Sequence, residues 1–406
     1  MDFSYYVGKK LATRSTGSFT RFIMRLAIAG VALSLCVMLV SVGIVQGFKE
    51  EISGKVIGFD GHLQIRNLDL NMSNELRLIP KDQDFLEEVR NEPGITSLTA
   101  FCSKAGILST DTDIEGLLFK GVPGEYDWDF FKKNLVAGNI PTYSDSIDSY
   151  DILISNHVAD KLQLEVGEKL LVYFLHEGKV RRRQMTISGI YKTGLAEFDR
   201  TICMAHIRTI QRIYTVDYSM VSGFEARVSD PERLDEIVER VDQQVGIRLR
   251  AQGVNRIHSI LFQWLEIVDS NAVIIIVLML LVAMVNMVTA FLILIIERTR
   301  MIGVLKSLGA NNWQVVRIFI YKGMGMIIPG MVIGNIIAWV LVKVQQDYGI
   351  IRLDEEIYYM SEVPISVGAA DFLWLNLGTF LLCTAILLIP GLLVRRVSPV
   401  RAIRFD

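Results

Sequence analysis

Apolar positions along this chain gather into four long runs, and the stretch between the first two runs alternates apolar and polar residues instead. Residues 26–48, 270–296, 323–342 and 372–394 carry no charged side chain. A helix rises about 1.5 Å per residue, so each run is long enough to cross roughly 30 Å of hydrocarbon, and four membrane-spanning helices are expected. The first run exceeds the roughly 7 to 15 apolar residues of a secretory signal, and no small-residue cleavage site follows Gln46-Gly47-Phe48. It is expected to remain as an anchor.

The alternating segment, 49–269, is expected to fold as one large domain. Near its start the pattern predicts a strand over 61–65, a helix over 82–89 and a strand over 97–108. Near its end the order recurs, with a strand over 223–228, a helix capped by Asp230-Pro231 and running to about 244, and a strand over 247–250. Two strand–helix–strand units predict an α/β subdomain built from about 58–113 and 215–254. Between them, 114–214 reads as an inserted, mostly β subdomain, with strands over 169–174 and 180–190 joined at Glu177-Gly178. The fold class is therefore four transmembrane helices with a large α+β domain inserted between the first and second. Lys49-Glu50-Glu51-Ile52 continues the first run as an amphipathic stretch, and 257–268 leads into the second without Gly or Pro, so both spans are expected to extend as stalks.

Charge decides the orientation expected in the membrane. Lys9, Lys10, Arg14, Arg21 and Arg25 precede the first run, Arg298, Arg300, Lys306 and Arg317 lie between the second and third, and Arg395, Arg396, Arg401 and Arg404 follow the fourth. By the positive-inside rule these segments, 1–25, 297–322 and 395–406, are cytoplasmic. The link 343–371 holds Asp347, Asp354, Glu355, Glu356 and Glu362, which suits the outer side, and the large domain falls on that side too. Of the 406 residues 51% are hydrophobic and only 21% charged, and the net charge of -2 gives no reason to expect nucleic acid.

Candidate chemistry is sparse. The five histidines form no H-E-x-x-H, and no G-x-S-x-G occurs, which weighs against an integral-membrane hydrolase. No Cys/His cluster predicts a metal. Cys102 and Cys203 would be free to pair in an oxidising compartment, but two buried thiols are the expected state. Small residues on the first span (Ala27, Ala29, Gly30, Ala32, Ser34, Ser41, Gly43) and the polar Asn286 and Asn335 are expected to serve helix packing. The Gly-Lys pairs at Gly8-Lys9, Gly54-Lys55 and Gly178-Lys179 lack the following Ser or Thr of a phosphate-binding loop, so no nucleotide site is expected on this chain.

The most informative stretch is Glu297-Arg298-Thr299-Arg300-Met301-Ile302-Gly303-Val304-Leu305-Lys306-Ser307-Leu308-Gly309-Ala310. Ile302, Leu305 and Leu308 recur at helical spacing beside Arg300 and Lys306, Gly309 is placed to end the helix, and Asn311 to cap the next. The stretch resembles the coupling segment of FtsX-like permeases of the MacB type, E-R-x-x-E-I-G-x-L-K/R-A-L-G-A, with Met301 in place of the acid and Ser307 in place of alanine. Gly47-Phe48-Lys49-Glu50-Glu51-Ile52 and Ile57-Gly58-Phe59-Asp60-Gly61-His62 are similar to the lipoprotein-releasing LolC/LolE branch of that family. So are Ala137-Gly138-Asn139-Ile140-Pro141, Ile152-Leu153-Ile154-Ser155, Val166-Gly167-Glu168-Lys169-Leu170 and the ending Ser398-Pro399-Val400-Arg401-Ala402-Ile403-Arg404.

This resemblance implies a non-catalytic permease subunit in a bacterial inner membrane, paired with an identical or related second permease and with two ABC ATPase subunits that bind ATP and Mg. It implies an acylated lipoprotein as cargo and a periplasmic carrier as recipient. Glu297, Arg298, Arg300, Ile302, Gly303, Leu305, Lys306, Leu308 and Gly309 are the expected ATPase-coupling residues, with Arg298, Arg300 and Lys306 orienting the contact and Ile302, Leu305 and Leu308 filling a groove on the ATPase. Two alternatives stay open: a MacB-like exporter of drugs or peptides, and an FtsX-like mechanotransmitter controlling a cell-wall hydrolase.

Overall fold

The computed structural model describes residues 18–393 apart from 69–76, 111–112, 145, 215–217, 355–357 and 359. The basic residues Lys9, Lys10 and Arg14, the acidic pair Glu355 and Glu356, and the ending with Arg395, Arg396, Arg401 and Arg404 lie outside the described residues. Two compact units are present, a bundle of span helices and an inserted domain that includes Glu50–Trp264.

Four helices are long and apolar enough to cross a membrane. The first, Ser18–Asp60, continues twelve residues past its apolar run because Ile52, Val56 and Phe59 keep one buried stripe while Glu51 and Lys55 pair at 3.3 Å beside it. Gly61, at φ +68, ends it in the left-handed region that a side chain resists. The second helix, Ser259–Glu297, begins after a break at His258, and the third, Asn312–Tyr348, opens on a capping box between Asn311 and Gln314. The fourth is Ala369–Ile386.

Small residues set how closely these helices approach. A Cβ on Gly334 of the third helix would lie 2.6 Å from the Ala32 carbonyl oxygen of the first, and one on Gly330 would lie 2.9 Å from the Ile28 oxygen. Ala27 and Ala32 are buried at the same seam. Asn335 and Asn376 exchange amide hydrogen bonds at 2.8 and 3.2 Å, and Asn286 donates to the Leu26 carbonyl at 3.4 Å, so both asparagines hold helices together as expected. Gly334→Leu is expected to force the first and third helices apart and cost about 1–3 kcal/mol, read as a lower melting temperature of the detergent-solubilised chain. An unchanged melting temperature would show that the seam yields.

The inserted domain contains twelve strands among the described residues: β1 (Leu63–Asn67), β2 (Ile79–Pro80), β3 (Ile95–Ser109), β4 (Ile114–Val122), β5 (Leu135–Gly138), β6 (Asp151–Ser155), β7 (Lys169–His176), β8 (Lys179–Tyr191), β9 (Ile202–His206), β10 (Met220–Val221), β11 (Gly223–Val228) and β12 (Leu249–Gly253). The order β12-β1-β11-β3 is antiparallel throughout, with the helices Leu86–Arg90 and Leu234–Gln244 as the two crossovers. That is the double β-α-β arrangement of ferredoxin-like sheets. Beyond this sheet, β3 pairs β4, β4 pairs β9, β9 meets β6, β6 pairs β8, β8 pairs β7 and β7 returns to β3. Six strands thus close a small barrel filled by Phe119, Val172, Phe174, Met185 and Met204, and closure removes its exposed edges.

Two sequence expectations shift. Of 82–89 only 86–89 is helical, in a helix that runs Leu86–Arg90, and Gln83 donates to the Pro80 carbonyl at 2.9 Å in the turn before it. The strand expected from 247 begins at Leu249, since Gly246 turns the chain at φ +79 and Ile247 is left exposed. The tight hairpin at Glu177-Gly178 has positive φ at both residues, 49° and 74°, as a two-residue loop between twisted strands demands. Cys102 and Cys203 are separate, buried thiols, and burial pushes Cys102 up to about 12.

Candidate functional site

Glu297 closes the second span helix, and the chain turns at Arg298 (φ -100°, ψ 15°) before entering the nine-residue helix Thr299–Ser307. The Arg298 amide still donates to the Leu294 and Ile295 carbonyls at 3.2 Å, so the turn remains tied to the helix it leaves. Gly309, at φ +93, ends the short helix, and the next begins after Asn311.

This placement divides the sequence-derived residues between two faces. Ile302 is fully buried in a cluster with Phe291, Leu294, Val315 and Phe319, and Gly303 is buried beside it. The expectation that Ile302 fills a groove on a partner is therefore corrected: its side chain is already spent on the chain's own core. Leu305, Lys306 and Arg298 are half-buried, while Glu297, Arg300, Leu308 and Gly309 are exposed. Leu308 is 79% exposed and Val304, which the pattern reading did not single out, is 45% exposed. Arg300, Val304 and Leu308 recur every four positions and form one outward ridge. Trp313 extends the exposed apolar surface, with the Arg317 guanidinium 5.9 Å from its ring centre.

A second constellation lies in the inserted domain, and the sequence reading missed most of it. Phe59 and Asp60 form the end of the first helix. The Phe59 ring packs against Phe131, Tyr191 and Phe198 with centroids 5.4, 5.9 and 4.8 Å away. Lys120 on β4, almost fully buried, donates to the Phe59 carbonyl, to Glu225 of β11 at 2.5 Å and to Asp60 at 3.3 Å. His258, the residue before the second span helix, meets the other oxygen of Asp60 at 2.7 Å.

Burial favours the neutral form of Asp60, but Lys120 and His258 outweigh it and hold this carboxyl well below its usual range. Burial likewise opposes the charge on Lys120, and Glu225 and Asp60 overcome it, raising the ammonium above its ordinary value. For Glu225 burial dominates and pushes the pKa up, so Asp60 is the more firmly ionised of the two carboxylates. The available signal was a lysine inside the apolar strand Leu117-Leu118-Phe119-Lys120-Gly121-Val122, since a charge in such a place requires a partner. Which partner was beyond the sequence, because Asp60 and Glu225 lie 60 and 105 residues away.

Residues 25–244 match the MacB-like periplasmic core domain, and residues 273–399 match the FtsX-like permease C-terminal domain. The chain belongs to the FtsX-like, MacB-type permease family. Among similar relatives of this permease, the lipoprotein-releasing system transmembrane protein LolC of Neisseria meningitidis serogroup B is 25% identical over 98% of this chain and 97% of that protein. LolC of Xylella fastidiosa is 20% identical over 98% and 97%, and LolE of Haemophilus influenzae 19% identical over 94% of each. The periplasmic region of MacB from Actinobacillus actinomycetemcomitans aligns with 51% of the permease and 94% of its own chain, at 16% identity and a TM-score of 0.36.

His62, next to this network in sequence, supplies a pH prediction for the permease. Its Nδ1 accepts the Val228 amide at 3.3 Å, and burial, helped by Arg227, lowers its pKa from 6.5 to about 4. The unfolded chain therefore binds the extra proton first. Stability attributable to His62 is complete above about pH 6.5 and declines as pH falls towards about 4. Thermal unfolding across this window should show the decline, and His62→Asn should flatten it. Equal slopes in the two proteins would remove the assignment.

Proposed function

We propose that this chain is the permease subunit of an ATP-driven transporter that releases lipoproteins from the bacterial inner membrane to a periplasmic carrier. The observation that carries this reading is the near full-length alignment with LolC relatives from several organisms, spanning both the helix bundle and the inserted domain. In this reading ATP and Mg are bound by a separate pair of ABC ATPase subunits, and no cofactor resides on this chain. The ATPases dock on the ridge of Arg300, Val304 and Leu308, while Ile302 and Gly303 seat the short helix against the bundle. A second permease, identical or related, completes the complex, and lipid covers the apolar surfaces left exposed on the spans.

Transmission follows from helix continuity. Displacement of the short helix moves the ends of the second and third span helices, and the first and second helices carry movement towards Asp60 and His258. With the basic segments in the cytoplasm, the termini lie there and the inserted domain is periplasmic.

Affinity purification from native membranes tests the proposal. An ABC ATPase should co-purify, and ATP should release an acylated protein into the soluble fraction when a carrier is supplied. Recovery of a cell-wall hydrolase instead would establish the mechanotransmitter reading, and recovery of no ATPase would overturn the proposal.

A further inference from the structure

A cavity of about 770 Å³ lies within the inserted domain over one face of β1, β3, β4 and β7, and none of the residues proposed for coupling contributes to it. Its size falls in the range of roughly 300–1,000 Å³ typical of small-molecule sites. The two ends differ in chemistry. At one, Ala105, Ile107, Tyr173 and Leu175 form an apolar strip, with Ile107 and Leu175 49% and 61% exposed to solvent, and Phe101 joins this strip to the other end, where Lys120 Nζ lies 5.2 Å from its ring centre. The small Ala105 and Gly116 leave the floor open between them.

At the other end are Arg66 and the ion network. Asp60 and Glu225 share the one Lys120 ammonium there, and His258 Nε2 lies 2.7 Å from the second oxygen of Asp60. The Arg66 side chain makes no hydrogen bond or close ion pair among the described residues, and the attraction of the nearby Asp60 only partly offsets the effect of burial on its guanidinium. Its cross-strand neighbour on β12 is Arg250, so two like charges stand directly opposite each other on one face. Such a pair is unfavourable unless an anion joins it, and among the described residues Arg250 reaches only Asp242, at 3.8 Å. Glu197 is the remaining carboxylate of the lining, exposed on the helix Ala196–Thr201.

A partly buried guanidinium with no close ion pair, facing a second arginine and set beside an apolar strip, matches an amphiphile with one anionic head and one alkyl tail. We propose that this groove binds a long-chain alkyl carboxylate, the head on Arg66 and the tail along Phe101, Ala105, Ile107 and Leu175. The inference does not depend on the transport reading, since binding requires neither ATP nor a partner chain.

The test uses the full chain in phosphatidylcholine nanodiscs and a palmitate analogue bearing a photoreactive diazirine near the end of its tail. Cross-linked peptides are expected from 101–118 and 171–176 as well as from the membrane helices, which label by partition and serve as internal control. Arg66→Gln should reduce groove labelling fivefold or more, and Ala105→Phe, at an exposed position, should do the same by filling the floor, with span labelling unchanged in both. Unlabelled palmitate should compete at a concentration at least tenfold lower than 1-hexadecanol. Labelling confined to the spans, or groove labelling indifferent to Arg66→Gln, would overturn the proposal, and equal competition by the alcohol would overturn the carboxylate assignment. Loss of lipoprotein release in native membranes with groove labelling intact would instead count against the transport reading alone.

Discussion

Replacing Val304 and Leu308 together by aspartate is expected to abolish coupled release, with a loss of tenfold or more, while the permease itself stays folded. Both side chains face outward, so the substitution places carboxylates in solvent and leaves the buried cluster around Ile302 untouched. A docking ridge that must fill a groove on an ATPase loses its apolar contact and gains two charges to desolvate there. Release assays on reconstituted complexes, paired with pull-down of the ATPase, measure the effect. Full release by the double variant would show that the ATPase engages another surface. Gly303→Asp is a less discriminating choice, because a carboxylate at that buried position perturbs the bundle as well as the contact.

The second large effect concerns Lys120. Lys120→Met removes the cation shared by Asp60 and Glu225 and leaves buried carboxylates uncompensated, a change expected to cost about 3–5 kcal/mol of the inserted domain's stability. Adding Glu225→Leu should restore part of the loss, because an apolar pair of similar volume avoids the stranded charge and His258 still faces Asp60. Thermal unfolding of the full chain, followed by proteolytic susceptibility near residues 110–120, reads both. If the single variant melts with the native protein, the network contributes nothing to stability. If the double variant is no better than the single, the loss came from packing rather than charge.

Much of this architecture was legible before any coordinates. Four uncharged runs disclosed the spans, and Asp230-Pro231, Glu177-Gly178 and Asn311 marked a cap, a hairpin and a helix start that the structure contains. Asp230 does accept the Glu232 amide, at 3.1 Å, as its position foretells. These features are local, and their chemistry is written in adjacent residues. Closure of the barrel was not legible, because the pairings of β3 with β7 and of β4 with β9 join strands whose meeting depends on the whole chain. The direction of Ile302 was hidden for a related reason. Helical periodicity places Ile302 and Leu305 on one apolar stripe, but whether that stripe meets its own bundle or another protein depends on Phe291 and Phe319 in neighbouring helices. The Asp60–Lys120–Glu225 contact likewise links three segments that share no motif.

One strand constrains how such a permease can change over time. With fifteen residues, β3 lies beside β11 for its first half and beside β4 for its second, with β7 on its other side from Gly106 to Ser109. A genetic exchange that swapped the barrel alone would sever a strand common to both neighbours and strand half of it with unpaired amides, an adhesive surface for misassembly. Modular shuffling is thereby penalised, and the two lobes are bound to diversify by point substitution, as one inherited piece.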